Sequence, residues 1–63
     1  MDGQGLTTKE LGFVEDCLKN EVLCVAKLRG YEREAQDPEL REICRHGIQT
    51  CERHITELLE ALR

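Results

Sequence analysis

Six residues carry side chains able to do chemistry: four cysteines, Cys17, Cys24, Cys44 and Cys51, with Glu21 and His54 set among apolar neighbours. The thiols are spaced so that 17 and 24, and again 44 and 51, lie seven residues apart, which is two turns of one helix face. Thiols in this arrangement suit three chemistries: packing as small hydrophobes, closing disulfides, or ligating a soft metal. Cys51 and His54 stand at i, i+3, so a helix presents a thiol and an imidazole together. Glu21 is the most informative residue of the first half, because an ionised carboxylate among Val, Leu and Cys either takes up a proton or finds a cation.

The elements that position these residues follow from the hydrophobic period. Thr7-Thr8-Lys9-Glu10 reads as a capping box, the Thr7 hydroxyl holding a free N–H and Glu10 reaching back. From there Leu11, Val14, Cys17, Leu18, Glu21, Cys24, Val25, Leu28 and Tyr31 repeat at helical spacing, so a first helix is expected over about 8–35. Pro38 disfavours helical geometry at Asp37 and fits the first turn of a new helix, for which Asp37 is the N-cap and Glu39 complements the dipole. The turn is expected at about 36–37. A second helix is expected over about 38–62, with Leu40, Ile43, Cys44, Gly47, Ile48, Cys51, His54, Ile55, Leu58, Leu59 and Leu62 on one face. Residues 1–6 contain two glycines and little to pack, and are expected to form a flexible arm.

The reading is therefore one all-α domain over 7–63, an antiparallel helical hairpin. Centring the hairpin near Glu34 sets Cys17 opposite Cys51, Cys24 opposite Cys44, and Glu21 opposite Gly47, all on inward faces. A 63-residue chain buries only about 60% of the surface its unfolded form exposes, and two helices leave much of both stripes wet. Dimerisation into a four-helix bundle is the expected closure, as a homodimer or within a larger helical assembly.

Charge and composition exclude several functions. With 13 acidic against 9 basic residues the net charge is -4, so no positive field attracts phosphate backbones or anionic membranes, and 3% aromatics leave no platform for stacking bases. Nucleic acid and membrane are not expected partners. No apolar run approaches the ~20 residues of a bilayer span, and the first residues lack the basic and apolar regions of a signal peptide, so a cytoplasmic location is expected. No nucleophile triad and no Gly-rich phosphate cradle is present, so an enzyme acting on an organic substrate is not expected.

Plainer roles stand beside the chemical ones. The four cysteines serve equally as buried packing residues, Glu21 as a stripe-edge partner of Lys27 or Arg45, and His54 as a packed residue with one hydrogen bond. His46 falls beside the stripe, in solvent. Glu32-Arg33-Glu34 and the charges between Glu39 and Arg45 read as outer faces with local pairs.

The stretch from about Leu18 to Leu62 resembles the ferritin-like proteins related to spore coat protein F, through Lys27, Tyr31, Ala35, Asp37-Pro38-Glu39-Leu40-Arg41, Glu52, His54 and Leu58. The resemblance implies half of a four-helix bundle, completed by symmetry, and either a structural, spore-associated role or a metal centre. For the centre it implies Glu21 as first-helix ligand and His54 as the histidine of a Glu-x-x-His pattern, while Tyr31 matches a tyrosine further along the first helix. Cys51 departs from that pattern by placing a thiol where a bridging carboxylate belongs. A set of Glu21, Cys51 and His54, supported by Cys17 or Cys24, is softer than a di-iron site and suits zinc or a single iron.

Three functions are thus open: a structural or protein-interaction module, a ferritin-like zinc- or iron-binding protein, and a thiol redox or metal-storage protein using the two expected cysteine levels.

Overall fold

The computed structural model describes residues 6–63, which form two α-helices, α1 (Thr8–Glu34) and α2 (Pro38–Ala61), packed as a hairpin. The expected flexible arm, apart from Leu6, lies outside the described residues.

Local chemistry sets the helix ends. At the start of α1 the Glu10 N–H donates to Thr7 Oγ1 at 3.0 Å and the Thr7 N–H donates to Glu10 Oε1 at 3.1 Å, so the capping box closes in both directions. Extended backbone at Ala35, whose N–H still donates to the Tyr31 carbonyl, ends the helix at Glu34, one residue before its expected limit. Asp37 caps α2 by accepting from the Glu39 N–H at 2.9 Å, and Pro38 takes the first helical position, where a missing N–H costs nothing.

The two helices contribute unequally to the core. α2 is strongly amphipathic and buries Cys44, Ile48 and Cys51, whereas the weaker apolar stripe of α1 buries only Val25. Leu28 and Ile55 pack against this cluster. The two helices meet closely at Gly47, where an added methyl carbon would sit 2.9 Å from Leu28 Cδ1. Gly47 thus lets Leu28 lie against the α2 backbone, a close approach that a side chain at this position would block.

This contact corrects the expected register. Gly47 faces Leu28, not Glu21, and Glu21 instead meets His54 seven residues further along α2, so the opposed levels differ from expectation by two helical turns. Two causes account for the shift. The turn occupies 35–37 and is centred at Gln36, beyond Glu34. In addition, each helical side chain leans toward the N-terminus of its own helix and so covers ground about one residue before its Cα. In an antiparallel pair the two leans add. Because seven residues are close to two turns, the same faces still meet.

The two glycines at the extremes make a direct test. Nothing lies within 4 Å of a Cβ built at Gly12, so Gly12→Ala is expected to stabilise the fold by about 1 kcal/mol through helix propensity alone. Gly47→Val is expected to destabilise it despite a smaller propensity gain, by pushing Leu28 off the seam. Thermal melts of the two variants beside the parent check both signs.

Candidate functional site

The polar residues of the apolar seam converge one to two turns from the Leu28–Gly47 contact. Glu21 on α1 and His54 on α2 join at 3.2 Å between Glu21 Oε2 and His54 Nδ1. The interaction is an ion pair when the imidazole is protonated and a hydrogen bond from Nδ1–H to the carboxylate when it is neutral. Half-burial of both residues strengthens it relative to a surface pair.

Cys51 lies next to this pair, 8% exposed and within the hydrophobic cluster. Its thiol is pushed up to about 12, first by burial, then by hydrogen bonding with the Cys24 thiol and the Glu21 carboxylate. The physical content is simple: a thiolate here would lose its solvent and stand against a carboxylate, so Cys51 stays a neutral S–H donor. All four cysteines are free thiols. Cys44 is also buried, near the turn, beside Tyr31, Ala35 and Leu40. Cys17 and Cys24 are exposed, contrary to the expectation that all four face inward. The weak stripe of α1 explains this, because its Cys positions flank the seam while Val25 occupies its centre.

The expected thiol levels are therefore rearranged. Cys51 faces Cys24, not Cys17, and Cys44 lies by Tyr31, not by Cys24. Cys17 borders a shallow depression with Glu21, His54, Glu57 and Leu58. Of the five residues expected to ligate metal, Glu21, Cys24, Cys51 and His54 are brought to one region, with Cys17 at its rim. Among the described residues, however, no group of three or more His, Cys, Asp or Glu is placed to hold a metal ion. The donor set also fits poorly with a carboxylate-bridged pair of irons, since Glu21 is engaged by His54 and the neighbouring position is a protonated thiol.

The other charges stay on the outside. Arg45 pairs with Glu32 at 3.0 Å and Glu42 at 3.2 Å, so it is not the partner of Glu21, and His46, largely exposed, reaches Glu42 at 3.3 Å. Arg29 crosses the seam to Glu52 at 2.9 Å. The sequence pattern did not single out this bridge or the Leu28–Gly47 contact. The one available signal was a glycine in the middle of the α2 stripe.

No family model, no curated protein and no solved structure matches the chain.

Burial of Cys51 predicts a pH dependence. Its folded pKa of about 12 lies above the ordinary thiol value of 9.0, so the folded state holds this proton longer than the unfolded state. The stability contribution is complete below about pH 9 and is lost as pH rises toward about 12. Thermal melts over that interval are expected to fall more steeply for the parent than for Cys51→Ala. At about pH 8, alkylation is expected to modify Cys17 and Cys24 readily and Cys44 and Cys51 slowly.

Proposed function

We propose that this hairpin is a self-associating helical module whose apolar faces close against a second copy of the same chain, giving a four-helix bundle. The observation that carries the reading is the imbalance of its surface. Among the described residues only Val25, Cys44, Ile48 and Cys51 are buried, while Leu11, Phe13, Val22, Leu23, Tyr31, Leu40, Ile43 and Leu59 are exposed.

Geometry explains the imbalance. The hairpin is 10 Å thick in its thinnest direction, a single helix layer, so each seam residue has neighbours on one side only. A domain needs two packed layers around its core, and a second hairpin supplies the missing one. One edge of the seam is suited to it: Leu18, Val22 and Leu23 form an apolar depression that continues through Val25, Ala26 and Ile55. Both signs of charge border this strip, Lys19 and Arg29 on α1 and Glu52 on α2. A two-fold contact sets a patch against itself, so a strip edged by both charges complements its own copy, whereas a single-sign strip would repel it. Among the described residues no helix is long and apolar enough to cross a membrane, so lipid does not supply the cover as a bilayer span would.

A role as a structural or interaction unit follows from this architecture, and the ferritin-like arrangement is the bundle it would most simply form. Sedimentation equilibrium tests it. The parent is expected to be dimeric at roughly 50 µM, and Val22→Glu with Leu59→Glu is expected to weaken association at least tenfold, equivalent to about 1.4 kcal/mol. Lys27→Ala, away from the strip, should leave it unchanged. A parent that is monomeric and fully helical at that concentration would overturn the reading.

A further inference from the structure

Two contacts fix what lies between them. Glu21 and His54 meet at 3.2 Å, and Leu28 lies within 2.9 Å of the Cβ position of Gly47, so seven residues forward on α1 correspond to seven back on α2. Cys24 is three residues beyond Glu21, and Cys51 is three residues before His54. The two thiols therefore occupy one level, bracketed by a polar contact on one side and the approach of Leu28 to the Gly47 backbone on the other. Cys24 is accordingly among the neighbours that push the Cys51 thiol up. A disulfide between helices needs Cα atoms within about 7 Å, which facing positions on closely packed helices can meet, and the missing side chain of Gly47 one turn away favours that approach.

We propose that Cys24 and Cys51 form a reversible inter-helix disulfide by exchange with a low-molecular-weight disulfide. Exposure sets the order of the steps. Cys24, open to solvent, attacks first as its thiolate: one S–S bond of the small disulfide breaks, a mixed disulfide forms on Cys24, and the first small thiolate leaves and is protonated. Buried Cys51 then attacks the Cys24 sulfur, the mixed S–S bond breaks, and the second small thiolate departs with the proton that Cys51 gives up. Two protein thiols are oxidised, one small disulfide is reduced to two thiols, and both protons end on those products. Cys44 and Cys17 take no part, since Cys44 is buried near the turn and Cys17 borders the opposite end of the Glu21–His54 contact. The pairing depends on the register within one hairpin and holds whether or not two copies associate.

The test is oxidation of the full chain by oxidised glutathione, followed by non-reducing peptide mapping. The expected product is a monomer-linked species joining the peptides of Cys24 and Cys51, formed equally by Cys17→Ser/Cys44→Ser, absent in Cys24→Ser, which lacks the attacking thiol, and absent in Cys51→Ser, where the mixed disulfide on Cys24 cannot be resolved internally. The linkage closes the loop from 24 to 51 and is expected to raise the melting temperature by on the order of 15 °C. Crosslinks of Cys17 to Cys51 or Cys24 to Cys44, disulfides only between copies, or an oxidised chain with a lower melting temperature would each overturn the proposal. Sedimentation of the reduced chain reports association separately, so failure of one idea does not decide the other.

Discussion

The rest of the hairpin depends on Leu28 lying against Gly47. Two helices of this length have many ways to slide and still bury apolar residues, and α1, with its weak stripe, does little to choose among them. A glycine in the centre of the α2 face offers one place where a large side chain can sink toward the opposite backbone, and Leu28 fills it. Once that contact is made, Val25 is set against Ile48 and Cys51, Glu21 against His54, and Cys24 against Cys51. The apolar cluster and the polar cluster are thus products of the same alignment.

The polar cluster is unusual for being arranged in a line. Carboxylate, imidazole and two thiols follow one another along the seam, partly screened from water: Glu21 accepts from His54, and Cys51 has both Glu21 and Cys24 as neighbours that push its thiol up. Without His54, a half-buried carboxylate would lack compensation for its lost hydration. The thiol, by remaining protonated, serves the core as an apolar group.

Much of the fold is legible in the sequence, because its determinants are local. Thr7 with Glu10, and Asp37 with Pro38, announce both helix starts through hydrogen bonds made within three residues, and the stripes announce which faces meet. The register was not legible to the same degree. It depends on where the turn is centred, on the lean of side chains along both helices, and on the fit of one leucine to one glycine, none of which appears in a pattern of types. The closeness of seven residues to two turns explains why the error preserved the faces yet exchanged the partners of the cysteines, of Glu21 and of Gly47. Exposure of Cys17 and Cys24 was hidden for a related reason, since a residue at the margin of a stripe carries the same periodicity as one at its middle.

The bridges Arg29–Glu52 and Arg45–Glu32 are exposed, and as individual contacts such pairs contribute little to stability. Their greater effect is as a lock against sliding. Shifting α2 by two turns toward the alternative alignment would carry Arg45 to the position Glu52 now holds before Arg29, setting two guanidinium groups against each other. It would also strand Glu21 opposite a glycine with no donor to offer. Weak surface charges thus discriminate between two packings that the hydrophobic faces alone would leave nearly equal in energy.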